Sequence, residues 1–173
     1  MRRRRLLAAL GAGSLSAVAG CQGGDTGGDS TDGSGDAAAT WPTGPYASYE
    51  TTTVTVTSTD GEPRGTVTAA VARSDARREV GLTAVTSMPS TGGMLFVYKT
   101  AGTHQYDTQD MAFGLDLVYG DSDRTITAIR DAPAPADDEA TTYAGEGKYM
   151  LAVTAAWTAK NGVAVGDTLE FSL

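Results

Sequence analysis

Two side chains, Asp116 and His104, are of types that could do acid/base chemistry, and neither has an evident catalytic set around it in the sequence. Asp116 lies in Phe113-Gly-Leu-Asp-Leu-Val-Tyr119, a run apolar enough to be buried. Strand alternation puts it on the face opposite Leu115 and Leu117. A carboxylate there must be hydrogen-bonded or paired. It is either a general acid/base or ligand anchor in a cleft, or a structural acceptor for backbone N–H groups of a neighbouring loop. The structural role is the preferred reading.

His104, in Ala101-Gly-Thr-His-Gln-Tyr106, is the sole imidazole. With Asp107 and Asp110 nearby it could take a proton or ligate a metal. Its polar, Gly-flanked setting reads instead as an exposed loop, and no paired-His spacing supports zinc. The acidic turns Asp121-Ser-Asp123 and Asp137-Asp-Glu139 lack the long loop with Gly and a closing Glu that calcium sites use, so they read as solvated turns. Met94, Met111, Phe113 and Trp157 could line an apolar ligand pocket, although such residues are more often core. No Gly-x-Ser-x-Gly elbow, phosphate loop or dinucleotide fingerprint follows the leader. Neither a metal nor a cofactor is expected.

The most specific chemistry is at Cys21. Four consecutive Arg (residues 2–5) precede the apolar run from Leu6 to Ala19, too short for a comfortable membrane span. The run ends in Val18-Ala-Gly-Cys21, the pattern of a Cys that is lipidated and becomes the mature N-terminus. Residues 1–20 are therefore expected to be a signal peptide, routed by the twin-arginine or the general secretory path. Residues 21–45 would be the lipidated Cys and a disordered linker. Gln22–Thr40 has six Gly, four Asp, two Ser and three Thr, and nothing apolar larger than Ala. Such a segment cannot bury enough surface to offset chain entropy.

This anchor has to be lipid rather than charge. The chain of 173 residues has 13 Lys+Arg against 21 Asp+Glu, and four of the Arg lie in the leader. The acidic balance disfavours nucleic acid, whose phosphates call for a basic stripe. A single Cys rules out an intrachain disulfide or a Cys-rich zinc site. Fifteen of the acids are Asp and only three Lys appear, a surface suited to concentrated salt and a salt-loving source.

The elements that must position Asp116 and His104 begin at Tyr46. From there to residue 173 the dominant signal is period two, as in Thr51-Thr-Thr-Val-Thr-Val-Thr-Ser58 followed by the Asp60-Gly61 turn. Further strands are predicted at Gly65–Ala72, Met94–Tyr98, Phe113–Tyr119, Arg124–Arg130, Lys148–Val153 and Thr168–Leu173. Short helices are predicted at Asp75–Val80, capped by Ser74, and at Thr154–Lys160, ended by Asn161-Gly162. The fold class is mainly β, a compact sandwich or barrel with one or two short helices.

Several pieces in order carry a family resemblance. They are Val80-Gly81-Leu82, Gly93–Val97, Met111–Val118, Ala132-Pro133, Lys148–Val153, Trp157 and Gly162–Asp167. Over roughly residues 65–173 the sequence resembles the domain of unknown function 192 family of small, mostly exported β proteins. The resemblance implies a jelly-roll-like β fold and no established activity. Departures stand at Asp107–Asp110, Thr83–Thr86 and Ala152, where the family has Met-Lys-Asn or Met-Arg, Met-x-Arg and an acidic residue. Two functions follow as expectations. The leading one is a non-catalytic binding or accessory module held outside the cytoplasm on the membrane through lipid on Cys21. The alternative is a small extracytoplasmic hydrolase or lyase using Asp116 with or without His104.

Overall fold

The computed structural model describes residues 40–136 and 141–173. The leader, Cys21, the linker through residue 39 and the Asp137–Glu139 turn lie outside the described residues. Alternating Thr and Val side chains form β1 (Thr51–Thr57), which pairs antiparallel with β2 (Pro63–Ala72). The reversal between them is closed by Ser58 N–H to Glu62 O at 2.8 Å and needs the positive φ of Gly61 (83°). Helix α1 (Asp75–Val80) begins as predicted, with the Ser74 side chain accepting the Arg77 N–H at 3.2 Å. Its crossover lets β3 (Gly92–Asp107) return parallel to β2. Then come β4 (Leu115–Gly120), β5 (Ile126–Ala132), β6 (Thr142–Thr154), α2 (Trp157–Asn161) and β7 (Thr168–Glu170).

All seven strands belong to one sheet, ordered β5-β4-β6-β3-β2-β1-β7. The sheet curls until its ends meet. Thr125 pairs with Thr168, Ile126 N–H reaches Asp167 O at 2.7 Å, and Leu169 N–H reaches Arg124 O at 2.9 Å. Of the sandwich and barrel expectations, the barrel-like arrangement is the one observed, with a single parallel pair in an otherwise antiparallel sheet.

Alternate residues along the central strands feed two cores. Val54, Val67, Leu95, Val118, Ile126, Leu151 and Leu169 come one from each strand and fill the space the curl encloses. Met94, Phe96, Leu117, Tyr119, Met150 and Ala152 face the other way into an outer core. This two-sided burial is why β3, β4 and β6 read as near-continuous apolar runs. The outer core is covered by α1's following loop (Leu82, Met88), by Met111 and by Trp41 and Tyr46.

Trp41 marks a correction to the linker boundary drawn at residue 45. It is buried, with its indole N–H bonded to Gly93 O at 2.8 Å and its ring 5.6 Å from that of Tyr46. Packing therefore starts at Trp41.

Two strands are much longer than predicted. β3 runs on through His104 to Asp107, and β6 begins at Thr142. The added halves pair with each other and fold over β4 and β5. Arg130 Nε donates to Ala144 O at 3.1 Å, and the Tyr119 hydroxyl donates to Tyr143 O at 3.2 Å. Being polar and Gly-containing, this arm lacks the apolar alternation that marks a strand in sequence. Helix α2 starts three residues later than predicted, since Thr154 stays in β6, and stops at the left-handed Gly162.

Candidate functional site

Asp116 sits mid-sheet, on β4 between β5 and β6 and facing α2. It is 1% exposed. Its Oδ1 accepts the Ala156 N–H at 3.0 Å, and its Oδ2 accepts the Thr158 N–H at 2.8 Å and the Thr158 hydroxyl at 2.6 Å. A carboxylate at the start of a helix satisfies amides that have no intrahelical partner and is favoured there by the helix dipole. Three of its roughly four acceptor positions are thus occupied. Asp116 therefore holds the β6–α2 turn, in which Ala156 keeps a positive φ of 64°.

A second buried carboxylate does similar work. Asp167, 4% exposed, accepts the Ala164 N–H at 2.9 Å and lies 4.0 Å from Arg64 Nε. The sequence marked Gly166-Asp167 only as a turn. A carboxylate immediately before a strand and three after an apolar loop position is the signal that was available.

His104 departs from its expected place in an exposed loop. It lies within β3, half-buried, its ring stacked on Tyr98 with centroids 3.5 Å apart and planes at 5°. Its Nε2 is 3.2 Å from Thr100 O. Between Val97, paired with Tyr149, and Gly102, paired with Gly147, residues 98–101 bulge out of the ladder. His104 thus contacts two residues of that bulge, Tyr98 and Thr100. Arg78 crosses the Tyr98 ring at 5.3 Å and also bonds Val97 O at 2.8 Å. Burial raises the Tyr98 phenol above its ordinary pKa, with Arg78 opposing.

His104 and Asp116 do not share a cleft. His104 pairs with Gly145 and Asp116 with Val153, eight residues further along β6. At about 3.3 Å per residue, on the order of 25 Å of strand separates them. Asp107 accepts the Gln109 N–H at 2.7 Å, and Asp121 Oδ1 accepts the N–H groups of Asp123 and Thr125, both at 2.9 Å. Among the described residues no group of three or more His, Cys, Asp or Glu converges to hold a metal.

The four apolar candidates also divide. Met94, Met111 and Phe113 pack in the outer core, whereas Trp157 belongs to the enclosed one. They do not form one pocket. Trp157 instead lies over Gly65, where an added Cβ would come within 2.7 Å of the indole.

Beside α2 the surface opens into a cleft of about 410 Å³ lined by Thr66, Ser90, Thr91, the Thr154–Ala156 turn, Trp157, Lys160 and Asn161. Asp116 is not in its wall but fixes the turn that is. The outer core carries the titratable aromatics. Burial pushes the Tyr119 phenol up to about 12, Tyr98 adding to the shift and Arg130 opposing it. Burial also raises Tyr106 far above the ordinary tyrosine range, and Tyr46 more modestly.

The sequence model of DUF192 (Uncharacterized ACR, COG1430) matches residues 55–171. A solved structure from Sinorhizobium meliloti 1021, provisionally described as a transcription regulator, is similar with a TM-score of 0.64 and 25% identity over 71% of this chain and 95% of that one. A protein of unknown function from Novosphingobium aromaticivorans DSM 12444 is similar with a TM-score of 0.63 and 24% identity, over 73% of this chain and 89% of that one. No curated protein matches this sequence. Ala152, where the resemblance implies an acidic side chain, is fully buried and pairs with Met94 and Leu117. Any polar site relatives build there is apolar here.

Proposed function

The chain belongs to the DUF192 family, an uncharacterised group, and from that premise we propose a lipid-anchored extracytoplasmic protein whose β domain binds a ligand or partner without catalysis. The observation that carries the non-catalytic reading is the use of Asp116. Its oxygens are taken by Ala156 and Thr158, and it does not line the cleft beside α2, so the residue best suited to acid/base work is committed to architecture. The hydrolase or lyase alternative is less well supported, since its two residues do not share a cleft and His104 is stacked on Tyr98 in the arm.

The anchored location rests on the sequence around Cys21: a basic head, a short apolar run and small residues before the thiol. Lipid on Cys21 is the membrane partner. Nucleic acid is not proposed as a partner, whatever the Sinorhizobium protein does, because removing residues 1–20 leaves nine bases against 21 acids.

Membrane fractionation of a Cys21→Ser variant tests the anchor, since only a thiol can take thioether-linked lipid. The variant is expected in the soluble fraction. Detergent-dependent membrane association equal to wild type would remove the lipoprotein reading. The non-catalytic half is tested by incubating the purified protein with candidate ligands and recovering them chemically unchanged.

A further inference from the structure

The cleft beside α2 carries groups that the fold itself does not use. Of the nine bases from Tyr46 onward, eight have an acid, an aromatic ring or a carbonyl as partner. The exception among the described residues is Lys160, an exposed ammonium in the last turn of α2 that lines the cleft. Ser90, Thr91 and Thr154 line the same cleft, and none of their hydroxyls is bonded to another described residue. Trp157 also borders the cleft, although its side chain is buried in the enclosed core.

The α2 side of the cleft is fixed before any ligand arrives. Asp116 holds the Ala156 and Thr158 amides, Asn161 Nδ2 donates to Trp157 O at 2.8 Å, and Gly65 leaves room for the indole. The left-handed Ala156 is a conformation that alanine adopts only where the surroundings enforce it. A pre-organised wall spares a ligand part of the ordering cost.

We propose that this cleft binds a sugar acid, a hydroxylated ring bearing one carboxylate. The ammonium of Lys160 meets the carboxylate, and the three hydroxyls exchange hydrogen bonds with ring hydroxyls. The volume falls within the range of about 300–1,000 Å³ common to small-molecule sites. Because the domain is otherwise acidic, with 17 acids against nine bases from Tyr46, one negative charge is tolerated and a polyanion is repelled. This rests on the binding-module reading and names its site and ligand class.

The test titrates the isotope-labelled full chain with glucuronate, glucose and acetate, following backbone amides by NMR. Glucuronate is expected to move Ala156, Trp157 and Thr91, with glucose and acetate each at least about tenfold weaker. Lys160→Gln, at an exposed position, should keep the spectrum of a folded protein and weaken glucuronate by roughly tenfold or more, leaving glucose unchanged. No response to glucuronate, or equal responses to glucuronate and glucose, overturns the proposal. Shifts confined to the Tyr98–His104 arm overturn this site while leaving the binding-module reading intact. Chemical conversion of glucuronate in the same tube overturns the non-catalytic reading and leaves the site standing.

Discussion

Asp116 and Thr158 are joined twice at one oxygen, by the amide at 2.8 Å and the hydroxyl at 2.6 Å. The pair ties β4 to α2 and, through Ala156, sets the turn between β6 and α2. Asp116→Asn keeps the shape but replaces one acceptor with a donor facing donors. It should cost about 1–3 kcal/mol. Thr158→Val removes only the hydroxyl and should cost about 1 kcal/mol, with non-additivity in the double variant because the two groups touch. Urea unfolding at neutral pH measures all three. An Asp116→Asn protein as stable as wild type would return this carboxylate to the list of catalytic candidates.

The Tyr119 ring lies against the backbone of Gly145, and its hydroxyl bonds Tyr143 O at 3.2 Å, so the ring is held from both ends. A Cβ at Gly145 would overlap that ring, and neither the strand nor the ring can shift without breaking the arm's contacts. Gly145→Ala is expected to destabilise by about 1–3 kcal/mol. Gly102→Ala, on the neighbouring strand with nothing within 4 Å, should be close to neutral. Thermal midpoints of the two variants compare them directly, and equal losses would argue against a Tyr119–Gly145 contact.

The same tyrosine makes a pH prediction. Burial raises its folded pKa to about 12, above an unfolded value of about 10. A raised pKa means the folded state holds the proton longer, so the associated stability is complete below about pH 10. It is lost as pH rises toward 12. Tyr106 is raised too and acts in the same direction. Urea midpoints should therefore fall between about pH 10 and 11.5, and Tyr119→Phe should flatten part of that fall. A fall that is equally steep in the variant would assign it to other groups.

What could be read in the sequence was whatever left a periodic or chemical trace. β1, β2 and α1 were legible because alternation, a turn dipeptide and a Ser cap act within a few residues. Asp116 was legible as a buried carboxylate because its neighbours are apolar, and its donors were anticipated as those of a nearby loop. The β3–β6 arm was not legible. Its support comes from Arg130, Tyr119 and other residues distant in sequence, and polar strands carry no local mark of such tertiary support. His104 was misplaced for that reason. The division of Met94 and Trp157 between two cores was hidden because periodicity gives a face within one strand, not which layer that face meets in a curled sheet.

Salt gives the last prediction. From Tyr46 onward 17 acids face nine bases, so weak screening leaves the folded domain repelling itself. Added salt also weakens the four ion pairs among the described residues, but each involves at least one well-exposed side chain. Exposed pairs contribute only about 0–1 kcal/mol each. The Asp116 cap is buried and little screened, so it changes least. Relief of repulsion should therefore win, and the thermal midpoint should climb between about 0.1 M and 3 M KCl. A flat or falling midpoint would mean that the ion pairs around α1 matter more than the domain's excess of acids, and would remove the salt-adapted reading of its surface.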